Sequence, residues 1–122
     1  KKTGFVWKWH NGAPNAIARG IAPDADPYDP EVQRKISKPY QRGIKYLKEK
    51  VGFNFAERAY FENKELLGLP KRMQPHNLEW ITKGALKFID ESFDVPFFLY
   101  MLLTEPHNND LPVFSRYPAF YY

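Results

Sequence analysis

The chain has no cysteine among its 122 residues. This absence excludes disulfide bonds, thiolate metal sites and a cysteine nucleophile within these residues. No apolar stretch approaches the ~20 residues that a membrane-spanning helix needs. Glycine-rich phosphate loops, nucleophile-elbow glycines beside a serine and the paired histidines of a helical zinc site are also missing. The sequence therefore lacks the commonest signatures of nucleotide-binding proteins, serine hydrolases and zinc enzymes.

Proline and aromatic residues, by contrast, are abundant. The 11 prolines and the aromatic content of 17% predict a large core joined by irregular connections. Length and composition fit a single globular domain. The net charge of +4 favours anionic partners only weakly, because basic and acidic residues are interleaved. We interpret the basic residues as a solvated helix face rather than a nucleic-acid-binding stripe; they include Lys35, Lys38, Arg42, Lys45, Lys48 and Lys50.

Hydrophobic periodicity predicts three strands and two helices. The predicted strands are residues 3–10, 52–60 and 97–103; the predicted helices are residues 31–50, interrupted at Lys38-Pro39, and residues 77–92; residues 13–30 form a long loop and residues 66–75 a shorter connection. One face of the first helix carries Tyr40, Ile44 and Leu47. The buried stripe of the second helix is predicted to contain Leu78, Ile81, Ala85, Phe88 and Ile89.

The most informative segment is residues 96–107, an apolar run that opens with Pro96 and closes with Thr104-Glu105-Pro106-His107. It predicts a strand buried on both faces, as in the centre of a parallel α/β sheet. Ligands of such sheets bind beyond the carboxyl ends of the strands. His107 is therefore predicted to lie at the ligand-binding edge. The alternative is a core strand that simply runs into a surface histidine.

Residues 3–10 predict a second strand with chemically active side chains at its end. Lys8 and His10 would share one face of this strand, opposite Trp7 and Trp9. If both strands belong to one parallel sheet, their carboxyl ends converge. Lys8, His10 and His107 would then bind a tetrahedral oxyanion through charge-assisted hydrogen bonds, and a histidine could protonate a leaving oxygen.

These segments resemble two sequence blocks of the sulfatase family. The first is the motif Gly-Lys-Trp-His-x-Gly, which is similar to Trp7-Lys8-Trp9-His10-Asn11-Gly12. The second is a helix ending in Phe-Ile, then Pro-Phe-Phe-Leu-Tyr and a strand ending in Pro-His; here it is matched by Phe88-Ile89, Pro96-Phe97-Phe98-Leu99-Tyr100 and Pro106-His107. Both blocks occur in the family's order and frame nearly the whole chain.

The resemblance implies the α/β/α sandwich of the alkaline-phosphatase-like superfamily, with a mostly parallel central sheet. Residues 1–122 would be the central portion of the catalytic domain and not a complete domain. It also implies that Lys8 and His10 contact the sulfate group and the catalytic residue. His107 would bind a sulfate oxygen and assist the leaving group, with Asn108 beside it as a further substrate-binding residue. The implied substrate is a sulfated small molecule or carbohydrate, and the implied location is secreted, periplasmic or lysosomal.

Several family features are altered or missing. Trp7 occupies the place of the motif's usual glycine, and Asn108-Asn109 replaces a small residue followed by proline. Sulfatases use a formylglycine made within Cys/Ser-x-Pro-x-Arg and hold calcium with acidic residues upstream and an Asp-Asn or Asp-His pair downstream. Neither group is recognisable here, and Ser115-Arg116-Tyr117-Pro118 does not match. We therefore expect the nucleophile and the calcium ligands to lie in the remainder of a longer sulfatase chain.

The sequence thus predicts part of a sulfuric ester hydrolase that has no turnover by itself. Substrate specificity is expected to reside partly in the loop of residues 13–30. Two alternatives remain open. One is a non-catalytic binding or assembly module derived from a sulfatase, which the Trp7 change favours. The other is a phosphodiesterase or phosphonate hydrolase of the same superfamily. Nucleic-acid binding is the least favoured function, and no membrane span is expected.

Overall fold

The computed structural model describes residues 1–12, 16–62, 66–74 and 78–102. Strands and helices alternate along these residues: β1 Lys2–Lys8, α1 Pro30–Tyr46, β2 Phe55–Tyr60, α2 Leu78–Asp90 and β3 Phe97–Leu102. The strands form one sheet in the order β2-β1-β3. Both strand pairs are parallel. The predicted α/β class is confirmed: a three-stranded parallel sheet is flanked by helices, consistent with a partial α/β sandwich.

Helix α1 begins at an N-cap residue, Asp29, and continues through an internal proline, Pro39. The carboxylate of Asp29 accepts hydrogen bonds from the backbone N–H groups of Glu31 and Val32 at 2.8 and 3.1 Å. The predicted interruption at Lys38-Pro39 is wrong, because the helix continues through Pro39. Proline costs the helix one hydrogen bond. Burial of the surrounding helix face outweighs that cost, with Ile36, Pro39, Tyr40 and Gly43 all buried.

The end of α1 turns directly toward β2. A π-helical turn, Leu47–Val51, follows the helix. Gly52 closes this turn with a left-handed φ of 96°, and its N–H bonds to the carbonyl oxygen of Leu47. The predicted apolar face is confirmed, since Tyr40 and Leu47 are buried and Ile44 packs against the same core.

Helix α2 covers one face of the sheet. Its predicted stripe is confirmed at Ile81, Ala85 and Phe88, which are buried, but Leu78 and Ile89 are each 37% exposed. Trp80 and Gly84 are buried instead, so the true buried face is rotated toward them. The rotation follows from β2, where the side chain of Arg58 lies 5.4 Å from the Trp80 ring and packs closely on Gly84.

The two faces of the sheet have separate aromatic contacts. On the α2 face, the Phe88 ring lies 5.2 Å from Phe55 of β2 and 5.5 Å from Phe97 of β3. On the other face, the Phe5 ring of β1 contacts three rings at 5.4 to 5.9 Å: Trp9, Phe53 and Tyr100. The second cluster is built around Phe5 of β1, and Phe88 of the first cluster also packs on Gly4 of β1, so both faces of the core contact that strand.

The position of β3 differs from the prediction. The apolar run before His107 was expected to be a central strand buried on both faces, but β1 is central and β3 pairs with β1 at the edge of the described sheet. Five of its six residues are exposed. The prediction fails because an apolar strand is buried only under covering layers, and the contact of α2 with β3 is limited, as between the rings of Phe88 and Phe97.

The connections agree with their predicted irregularity. Residues 16–29 contain neither helix nor strand, as predicted for the loop of residues 13–30, whose residues 13–15 lie outside the described ranges. Residues 66–74 contain only short turns, including the 3-10 turn Lys71–Met73. The helices that the structure describes are all too short or too polar to cross a membrane.

Candidate functional site

The carboxyl ends of β1 and β3 lie side by side at one edge of the parallel sheet. From β1, the connection through α1 leads to β2 on one side, whereas the connection through α2 places β3 on the other side. In open parallel sheets, ligands bind beyond the carboxyl ends of the strands. The register places Trp7 beside Leu102 and Lys8 beside Tyr60. The candidate site is therefore the edge of the sheet where Lys8 ends β1.

Lys8 and His10 both lie at this edge. Lys8 is partly buried and His10 is exposed, whereas Trp7 and Trp9 are buried. This difference in burial confirms the prediction that the two tryptophans lie on the opposite side of the strand from Lys8 and His10. The segment after β1 is fixed by Trp9, whose backbone N–H donates to the Tyr60 carbonyl at 2.6 Å.

Trp9 also fixes the turn that follows His10. Its indole Nε1 donates to the carbonyl oxygen of Gly12 at 2.8 Å. The ring is held edge-on against Phe5 and Phe53, with centroid distances of 5.4 and 6.4 Å. His10 therefore projects from a backbone that is anchored on both sides, which is how a rigid scaffold positions a ligand-binding side chain.

Among the described residues, Glu62 is an acidic partner of His10. Its Oε1 lies 3.3 Å from the His10 Nε2, and the side chains remain 38% and 51% exposed. Sequence reasoning missed Glu62. Its position in the sequence could have indicated this contact. Glu62 follows β2 by two residues, and β2 is parallel to β1, so the carboxyl ends of both strands lie at the same edge of the sheet. This carboxylate competes with any anion that His10 binds.

The backbone of Trp7, which stands at the glycine position of the sulfatase motif, has an unusual conformation. Trp7 has a φ of 95°, in the region that glycine adopts without steric cost. The register shifts here, because β2 places Glu57 and Arg58 opposite Val6 alone. Arg58 also has a positive φ, 51°. Such bulges re-aim the strand end and are frequent beside functional sites. Trp7, which the resemblance aligns with the motif's glycine, thus has a backbone conformation typical of glycine.

Two predicted site residues, His107 and Asn108, lie outside the described residues, as does His76. The pairing of β3 with β1 is nevertheless relevant to the prediction for His107. Its segment follows Leu102, and Leu102 lies beside Trp7 in the parallel pair. The condition set by the sequence, that the strands before His10 and His107 share one parallel sheet, is met by β1 and β3.

The described residues do not fit the calcium ion that the sulfatase resemblance implies. Within them, no group of three or more histidine, cysteine, aspartate or glutamate side chains could hold a metal ion. Lys8, His10 and Glu62 form a mixed cationic and acidic edge, which suits an oxyanion or a proton-transfer partner better than a cation.

Comparisons with known proteins add no further family information. The chain matches no protein-family model, and no curated protein matches it significantly. The resemblance to sulfatases therefore depends on the two sequence blocks and on the arrangement of the strands that carry them.

Proposed function

We propose that this chain supplies one wall of the active site of a sulfuric ester hydrolase. In this proposal, Lys8 and His10 bind the sulfate oxygens of a sulfated small molecule or carbohydrate. His107, assisted by the neighbouring Asn108, binds the same group and protonates the leaving alcohol. The formylglycine nucleophile and calcium belong to another part of the enzyme. Both groups are outside this chain, so we expect no turnover from the 122 residues alone.

One observation carries most of the support. The two segments that resemble sulfatase blocks contain neighbouring parallel strands, β1 and β3, whose carboxyl ends lie at the same edge of the sheet. Nothing in the separate sequences of the two blocks requires them to pair. The positive φ at Trp7 adds support, because the backbone there has the conformation that the motif's glycine would adopt freely.

A sulfate titration followed by NMR of the histidine rings tests the proposal. We expect coupled shifts at His10 and His107 that follow one binding curve, whereas His76 is an internal reference that should move little. The variant Lys8→Gln should weaken the response at both rings. Lys45→Gln is the matched control, since it removes the same charge from an exposed position on α1. Independent responses of His10 and His107, or equal effects of the two lysine variants, would contradict the proposal.

Activity gives a second readout. Purified chain is expected to leave an aryl sulfate unhydrolysed, because charge stabilisation and proton transfer require a nucleophile to act upon. Sequencing of the flanking coding region should reveal a Cys/Ser-x-Pro-x-Arg motif upstream. Measurable hydrolysis by the 122-residue chain would contradict the division of the site that is proposed here.

The second candidate is a non-catalytic binding or assembly module descended from a sulfatase. Two observations favour it: Trp7 fills the place of the motif's glycine with a large side chain that is 1% exposed, and Glu62 lies 3.3 Å from His10. The same titration separates the candidates. A retained sulfate pocket gives coupled histidine shifts, whereas a module that has lost the pocket gives no saturable shift at either ring.

A further inference from the structure

A second cationic region lies away from β1. A cavity of about 640 Å³ opens between residues 16–19 and helix α1. Its apolar lining includes Ile17 and Pro39. Five cationic side chains also line it, and none of the acidic side chains that the structure describes does: Arg19, Arg34, Lys35, Lys38 and Arg42. We call it the basic cavity.

Helix geometry explains how so many cations meet. Arg34, Lys38 and Arg42 are spaced four residues apart, so they follow one another along a single face of α1. Like charges at this spacing repel and destabilise an isolated helix. Arg19 adds a further charge from the opposite wall. This concentration of charge disfavours the empty cavity and favours an anion within it.

The wall formed by residues 16–19 is held in place before any ligand binds. The Lys35 ammonium donates to the carbonyl oxygen of Gly20 at 2.8 Å, which joins the segment to α1. On the other side, the Ala18 N–H donates to the Leu67 carbonyl at 3.0 Å. Gly68 then passes so close to Ala18 that a β-carbon would collide with the Ala18 carbonyl oxygen. A preformed site loses little ordering free energy on binding.

Glu31 is an acidic neighbour of two of these cations, Arg34 and Lys35. Arg34 donates two hydrogen bonds to its carboxylate, from Nε at 2.8 Å and from a terminal guanidinium nitrogen at 2.6 Å. Hydrogen bonding from Arg34 is the largest influence that lowers the pKa of Glu31, and the charges of Arg34 and Lys35 lower it further. Glu31 is therefore ionised at neutral pH and offsets part of the charge of the basic cavity.

We propose that the basic cavity binds a small organic polyanion that carries two or more sulfate or phosphate ester groups. Planar guanidinium groups bind tetrahedral oxyanions through paired hydrogen bonds, and separate cations can bind separate ester groups. Typical small-molecule pockets measure roughly 300–1,000 Å³, so the volume suits a sugar-sized ligand better than an isolated inorganic ion. Ile17 and Pro39 supply apolar surface for its carbon skeleton. This inference does not depend on the function proposed for Lys8 and His10.

Calorimetric titration of the full chain tests the inference. The probes are glucose 1,6-bisphosphate, a glucose disulfate, inorganic phosphate and inorganic sulfate. Two ester groups on one sugar can contact separate cations. A sugar bis-ester that binds should therefore have an affinity at least about tenfold higher than that of the inorganic ion of the same class, phosphate or sulfate. The affinity should fall as salt is added. The tighter of the two sugar probes identifies the ester class.

Matched variants locate the binding. Lys38→Gln should weaken binding about fivefold, as expected for one exposed charge pair. Lys45→Gln, which removes the same charge from the same helix outside the basic cavity, should change it less than about twofold. Glu31→Gln should strengthen binding, because it releases Arg34 and Lys35 from their acidic partner. An increase in affinity is a useful sign, since damage to the fold would produce a decrease.

Three results would overturn the inference. The first is absence of binding by both sugar bis-esters. The second is inorganic sulfate or phosphate binding as tightly as the corresponding bis-ester. The third is an equal loss of affinity in Lys38→Gln and Lys45→Gln, which would indicate attraction to the overall positive charge. The sulfate-induced shifts of His10 and His107 should be unaffected by Lys38→Gln, so failure here is distinguishable from failure of the function proposed for the strand ends.

Discussion

Trp7 combines two properties that rarely occur in one residue. Its side chain is 1% exposed, yet its backbone has a φ of 95°. Strained backbone of this kind costs about 1–3 kcal/mol for a residue other than glycine. Truncation of a buried tryptophan costs about 3–5 kcal/mol. Packing therefore outweighs strain, and this balance allows tryptophan at a position where the sulfatase motif has glycine.

This balance predicts an inverted order of stability at position 7. Trp7→Gly loses the packing but relieves the strain, so we expect it to lower the free energy of unfolding by about 2–3 kcal/mol. Trp7→Ala loses the packing and keeps the strain, so it should be about 1 kcal/mol less stable than Trp7→Gly. Urea unfolding measures both values. Trp9, which is also buried but has no positive φ, is the control: there alanine should be the more stable replacement.

Single residues also show where sequence reasoning succeeds and where it stops. Alternation along a strand was enough to separate Lys8 and His10 from the buried tryptophans. It could not reveal Glu62, because the 3.3 Å contact with His10 arises from the pairing of β1 with β2 and not from sequence proximity. The positive φ of Trp7 was equally hidden, since its residue type argues against that conformation.

At the scale of elements, helix α2 packs very closely against strand β1 at Gly4. Phe88 packs against Gly4 of β1 so tightly that a β-carbon at Gly4 would lie 2.7 Å from the Phe88 ring. Glycine usually weakens a strand interior. Here it provides the space that lets the helix reach Phe55 and Phe97 through the same ring.

The variant Gly4→Ala should therefore be destabilising despite the better strand propensity of alanine. We expect a loss of about 1–3 kcal/mol in the free energy of unfolding, because the extra methyl group forces Phe88 or the strand to move. Adding Phe88→Leu makes room for that methyl group. The double variant should thus be more stable than the sum of the single losses predicts, with a coupling of about 1 kcal/mol. Strict additivity in a denaturant-based double-mutant cycle would contradict this packing model.

Element types were largely predictable from the sequence, whereas their surroundings were not. The periodicity of residues 77–92 predicted α2 correctly, but its buried face depends on where Arg58 and Trp80 meet. The proline at position 39 predicted a break because local propensity was considered without the tertiary packing that buries this part of α1. In the same way, the apolar composition of β3 predicted a central strand, although composition alone does not determine strand order.

At the scale of the whole molecule, β3 presents an unusual amount of apolar surface. Phe98 is 60% exposed, and its ring stacks on that of Tyr100 at an interplanar angle of 15°. Exposures of 38–43% extend the apolar surface along the strand; they belong to Phe97, Tyr100, Met101 and Leu102. Isolated apolar residues are common on protein surfaces, but a contiguous strand of them promotes association.

We therefore expect the 122-residue chain to self-associate as its concentration rises, with β3 at the contact. Analytical ultracentrifugation should show an average mass that increases with concentration. Phe98→Lys should shift the chain toward the monomer, because a charge on an outer strand opposes pairing with another strand. Phe93→Lys is the matched control, since Phe93 is 81% exposed but lies in the turn after α2 rather than on β3. If the two variants dissociate the chain equally, the effect is one of net charge. A monodisperse monomer at all concentrations would show that the exposed strand does not drive association.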